Sequence, residues 1–177
     1  MATFKVPTRG EVSGNNQAIF DNLQKSVGFV PNIYAAMANS ESALGSYLQF
    51  SAAPTSFSKK EKEIIDLAVS QLNGCRYCQA AHTALGKMNG FTDEQIIELR
   101  KGGASWDEKA NVLAQTAREI ADKKGKVSDE VLESFYGAGY NEANLVDLIV
   151  AIGIITITNL FHNVTNVDID FPVAVEL

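Results

Sequence analysis

At three places in this chain a Ser or Thr is followed three residues later by Glu or Gln, just ahead of apolar residues at helical spacing. The pattern is that of a capping box, in which two side chains reciprocally satisfy the orphan backbone N–H groups of a helix start. Ser58-Lys59-Lys60-Glu61 leads into Ile64, Ile65, Ala68, Val69 and Leu72. Thr92-Asp93-Glu94-Gln95 precedes Ile96, Ile97 and Leu99, and Gly102-Gly103 stops that run. Ser105-Trp106-Asp107-Glu108 precedes Val112, Leu113, Ala117 and Ile120, with Gly125 as the terminator. Such starts and stops favour helices.

The remaining segments read the same way. Ser128 is placed to cap a helix from Asp129 to about Ala138, and Asn141 a long last one through Leu145, Leu148, Ile149, Ile152 and Ile155 towards Phe161. In the first third, Asn15–Ser26, Pro31–Ala38 and Ser40–Ala52 have helical character, with Pro31 suited to a first turn. Sustained period-two alternation is missing. The β-branched run at 154–158 is flanked by helical pattern, so it is assigned to the last helix. The expected fold is all-α, with about eight helices in a single domain over residues 1–177.

Hydrophobic residues make up 46% of the chain and charged ones 20%, which predicts a packed globule and not a disordered chain. A formal net charge of −6 gives no electrostatic reason to bind nucleic acid or an anionic membrane. The start of the chain has no apolar secretory segment. The apolar stretch within Leu148–Ile157 falls short of the roughly 18 residues of a membrane span, so a buried helix is expected there. These features predict a soluble, cytoplasmic protein.

Only two cysteines are present, three positions apart. The loop they close is too small to staple a fold, so the pair reads as redox-active or metal-binding. Asn73-Gly74 breaks two helical patterns and puts Cys75 and Cys78 in the first turn of the second, which runs to about Met88. At about 100° per residue, Cys75, Cys78 and His82 fall on one face. The positive end of the helix dipole favours thiolate there. Cys78 and His82 are an i, i+4 pair, so His82 can take the Cys78 proton or stabilise its thiolate. If the helix of residues 59–72 folds back antiparallel, Glu63 comes within about a turn of His82 and orients it. The same four residues, Cys75, Cys78, His82 and Glu63, could also supply four metal ligands, although structural zinc usually draws ligands from a second distant segment. A thioredoxin-like fold is disfavoured by the missing βαβ pattern.

Glu63, Cys75, Cys78 and His82 together read E-x11-C-x2-C-x3-H. With Gly28-Phe29-Val30-Pro31-Asn32, the Lys59–Glu63 approach and the ending from Asn159-Leu160-Phe161-His162-Asn163 to Phe171-Pro172, the chain resembles the alkylhydroperoxidase AhpD-like branch of the carboxymuconolactone decarboxylase superfamily. The resemblance implies an all-α fold assembling as a homotrimer or homohexamer, and a CxxC peroxidase acting on hydrogen peroxide or organic hydroperoxides. In it Cys78 is the attacking thiolate and Cys75 the resolver. No cofactor or metal is implied, only an external dithiol or protein reductant. The bottom-up order agrees, since Cys78 is the sulfur nearer His82.

Some members carry a His immediately before the second cysteine, where this chain has Tyr77. Tyr77 is expected to pack, as is Trp106, and His162 is expected at the tail or an interface. Two other functions use the same residues or family: a redox sensor or disulfide-exchange protein without fast turnover, and a decarboxylase-type lactone enzyme. The latter has no need of a dithiol.

Overall fold

The computed structural model describes residues 4–177; among them there are nine α-helices, a short 3-10 turn at Arg9–Glu11 and no strand. The helices are α1 (Gly14–Val27), α2 (Asn32–Met37), α3 (Ala43–Ser51), α4 (Lys59–Leu72), α5 (Arg76–Met88), α6 (Asp93–Lys101), α7 (Glu108–Asp122), α8 (Asp129–Gly137) and α9 (Glu142–Thr165). The all-α expectation holds, with nine helices among the described residues against the eight or so anticipated; the segments Pro31–Ala38 and Ser40–Ala52 contain α2 and α3.

Ser58 and Thr92 form the capping boxes read from the sequence. Ser105 does not cap α7. Asp107 does, its carboxylate accepting from the Ala110 N–H at 2.7 Å, and a charged acceptor there also complements the helix dipole. Pro31 lies one place before its helix, its carbonyl accepting from the Tyr34 and Ala35 N–H groups.

The centre of the fold is α4. It packs against α5, α6, α7 and α9, and its side chains from Glu63 to Val69 are buried almost without interruption, Asp66 alone being partly open. A helix enclosed on all sides loses the usual polar stripe. Burying a side chain such as Leu67, wholly shielded here, contributes roughly 1.5–3 kcal/mol. The first three helices hold a smaller apolar cluster around Phe20 and Leu44.

At 24 residues and a mean hydropathy of 1.9, α9 is long and apolar enough to cross a membrane by length and composition alone. The expectation that its apolar stretch falls short counted an uninterrupted run, whereas Gly, Thr and Asn are tolerated inside such a window. Only 33% of that window is buried. Leu148, Ile152, Ile155, Asn159 and His162 face the interior, towards α4, α5 and α7.

Candidate active site

The two cysteines occupy the junction between α4 and α5, and the backbone there is fixed from both sides. The Cys75 N–H donates to the Ser70 carbonyl at 3.0 Å and the Gly74 N–H to the Gln71 carbonyl at 3.2 Å, the pair of bonds that closes a Schellman motif. Gly74 has φ +65°, a left-handed conformation that a residue without Cβ adopts at little cost. Cys75 thus ends one helix and caps the next, its sulfur accepting from the Cys78 N–H at 3.2 Å.

Neighbouring helices clamp this turn. Asn159 of α9, wholly buried, accepts from the Asn73 side chain at 2.9 Å and donates to the Ser70 hydroxyl at 3.2 Å. Asn163 donates to the Asn73 carbonyl at 2.7 Å. From α6, the buried Arg100 guanidinium donates to Gln71 and Gln79 at 2.9 and 3.2 Å, tying α4 to α5.

Cys75 and Cys78 are joined in a disulfide. Both are buried, but not alike. Cys78 lines a cavity of about 370 Å³, together with His82, Glu63, Asp66, Tyr34 and Tyr47, whereas Cys75 is sealed in the core behind it. The shared face expected for Cys75, Cys78 and His82 therefore holds for the last two only. As the N-cap, Cys75 sits outside the helical path and its side chain turns inward.

The antiparallel α4–α5 pairing brings Glu63 to His82, with the Glu63 Oε2 to His82 Nδ1 distance 2.9 Å. Asp66, one turn further along α4, places Oδ2 3.6 Å from the same nitrogen. Burial opposes the charge on His82, but the Asp66 charge and then the Glu63 hydrogen bond and charge outweigh it, holding the imidazole's pKa at about 9. Burial likewise pushes the Asp66 carboxyl up to about 6, against the attraction of His82 and with the repulsion of Glu63. The two carboxylates thus favour the charged imidazolium over the neutral ring, and a charged ring stabilises a thiolate and donates a proton.

Sequence reasoning passed over Asp66, although its i+3 spacing from Glu63 puts both on one helix face. Tyr34 and Tyr47, whose rings lie 6.0 Å apart, come from α2 and α3 and carried no signal. Burial raises both phenols above their usual range.

Tyr77 packs as expected, its ring against His162 and Phe171 at 5.5 and 5.7 Å. It also carries a link to the C-terminal segment, since its hydroxyl donates to Asp170 at 2.5 Å. Asp170 in turn accepts from the Asn32 N–H at 2.7 Å, which seats Phe171 on the cavity wall. His162, expected at the tail or an interface, lies in α9 on its buried face. It is 6% exposed and packed behind Tyr77, and burial lowers its pKa. Trp106 lies beside Phe91 at the surface, 5.7 Å between rings.

The metal-ligand set drawn from the sequence is not presented here, because its two sulfurs are bonded to each other. Glu63, Asp66 and His82 do bring one ligand atom each within 4.8 Å of one another.

Residues 32–123 match the model of the carboxymuconolactone decarboxylase family. The alkyl hydroperoxide reductase AhpD of Hyphomonas neptunium is 41% identical over 64 residues, which is 36% of each chain. The match thus spans about a third of that relative's length. Two solved structures share the fold over nearly the full chain. The alkylhydroperoxidase AhpD core of a peroxidase-related protein from Ralstonia eutropha JMP134 superimposes with a TM-score of 0.85 at 17% identity, covering 94% of this chain and 91% of that one. The debrominase Bmp8 in complex with 2,3,4-tribromopyrrole gives 0.78 at 13% identity, covering 96% and 92%. At such identities the likeness is one of fold.

Proposed function

Since the chain belongs to the carboxymuconolactone decarboxylase family, we propose that it is a thiol-dependent peroxidase of the AhpD-like kind, reducing hydrogen peroxide or organic hydroperoxides through Cys78. One observation carries this reading: of the two sulfurs, Cys78 lines the cavity beside His82 and Glu63, while Cys75 lies sealed behind it.

In the reduced enzyme the Cys78 thiolate pairs with the His82 imidazolium. The thiolate attacks one peroxide oxygen, forming an S–O bond as the O–O bond breaks, and the departing alkoxide takes a proton from His82 to leave as alcohol. Cys78 is then a sulfenic acid. The Cys75 sulfur displaces its hydroxyl, which leaves as water with the Cys75 proton, and the Cys75–Cys78 disulfide results. An external dithiol then attacks, by way of the cavity, at the Cys78 sulfur and returns both protons and two electrons. The sum is hydroperoxide plus dithiol giving alcohol, water and a disulfide. No bound cofactor or metal enters the scheme. Glu63 fixes the His82 ring at Nδ1, so the opposite nitrogen faces the chemistry. The apolar walls, with Ile33, Phe50, Ile154 and Phe171 among them, favour organic hydroperoxides over hydrogen peroxide. We assign the protein to the cytoplasm, where a dithiol supply is at hand, and to a homotrimeric or homohexameric assembly.

The test is peroxide consumption by the reduced protein with a dithiol supply. Both Cys78→Ser and Cys75→Ser are expected to lose dithiol-dependent turnover to the uncatalysed background. Unchanged turnover in Cys78→Ser contradicts the proposal.

A further inference from the structure

Glu63 alone accounts for the orientation of His82, yet the imidazole has two carboxylates on one side. Glu63 Oε2 is 2.9 Å and Asp66 Oδ2 3.6 Å from Nδ1. All three side chains are largely enclosed, at 10%, 15% and 17% exposure for Glu63, Asp66 and His82. Two carboxylates one turn apart on the same helix face repel each other, more so away from water. A positive ring beside them offsets that repulsion.

We propose that Asp66 is a second positioning carboxylate of the site, which joins Glu63 in holding the His82 imidazolium from its Nδ1 side and so keeps the other ring nitrogen a proton donor towards Cys78 and the departing oxygen. The titratable and charged groups that face the ring are Lys62, Glu63 and Asp66 from α4, Tyr34 from α2 and Tyr47 from α3, with Asp147 of α9 at the cavity wall. Of these only Glu63 and Asp66 are within ion-pair distance of it. The shifts follow the same arrangement, since the Asp66 charge is the largest influence raising the His82 pKa and the His82 charge the largest holding Asp66 down. The proposal deepens the peroxidase reading: a ring held charged stabilises the Cys78 thiolate, and a proton is ready when the O–O bond breaks.

The chain has only two histidines, His82 and His162, so imidazole resonances can be followed by NMR through a pH titration without peroxide. In Asp66→Asn the His82 midpoint is expected to fall by about one pH unit or more, with Asp66→Glu restoring it and His162 unmoved. The rate at which iodoacetamide alkylates reduced Cys78 should shift its pH profile in the same sense. A His82 midpoint unchanged in Asp66→Asn while Glu63→Gln moves it overturns the proposal. Should Asp66→Asn fail to fold, the wild type decides, because a His82 midpoint at or below the ordinary 6.5 is equally fatal. Neither readout involves turnover. An intact His82 shift in a protein that consumes no peroxide would defeat the functional reading and leave this one standing.

Discussion

His82 concentrates the electrostatics of the site in one ring, and that has a consequence for stability. Its pKa is about 9 in the fold against an ordinary 6.5. For a group raised on folding, the stabilisation is fully present below the unfolded value and is lost as pH rises through the folded one. The window is therefore from about 6.5 to 9. At about 1.4 kcal/mol per pH unit the whole effect is at most about 3.5 kcal/mol. In urea unfolding of the disulfide form, the stability difference between wild type and His82→Gln should shrink by that order between about pH 6 and about pH 10. A difference equal at both ends contradicts the ion-pair account. Glu63 was legible in the sequence because the Asn73-Gly74 turn fixes how α4 folds back on α5. Asp66 was equally within reach by spacing, but it acquires meaning only once Glu63 is tied to His82. Cys75 is the N-cap of α5 and donates its N–H to the Ser70 carbonyl, a backbone detail that residue spacing does not carry.

At the scale of elements, α9 presents two seams. Leu148, Ile152, Ile155, Asn159 and His162 advance by four and three residues along the buried face. Val146, Val150, Gly153, Ile157, Leu160 and Val164 advance by the same alternation along another face, and each of those five large side chains is exposed, Val164 by 79%. A Cβ at Gly153 would meet nothing. Alternating steps of four and three are the seam of helices that pack side by side. The sequence reading of a last helix buried partly between subunits rests on this all-round apolarity, although composition alone does not say which residues belong to the core seam and which to the outer one. The homo-oligomer proposed above predicts that a second copy of the chain covers this outer seam. In sedimentation velocity the protein should run as an oligomer, and Leu160→Glu should shift it towards monomer with its helical content unchanged. A wild type that remains monomeric contradicts this.

Across the molecule, what was legible in the sequence is what is local. Caps, breakers and helical spacing place the helices within a few residues, though they were counted as about eight, because each signal acts within one or two turns. What remained hidden depends on chain segments meeting from far apart: Tyr77 with Asp170, Asn73 with Asn159, and the two tyrosines that α2 and α3 bring to the cavity. Within that framework the two cysteines have unequal surroundings, Cys75 closed in the core and Cys78 on the cavity wall. The inequality is the centre of the account. Its most direct test is to treat reduced Cys75→Ser and Cys78→Ser with less than one equivalent of hydroperoxide, trap any sulfenic acid with a dimedone-type reagent and locate the adduct by peptide mass spectrometry. The adduct is expected on Cys78 in Cys75→Ser, with Cys75 unlabelled in Cys78→Ser. Labelling of Cys75 in Cys78→Ser, with none on Cys78 in Cys75→Ser, would contradict it.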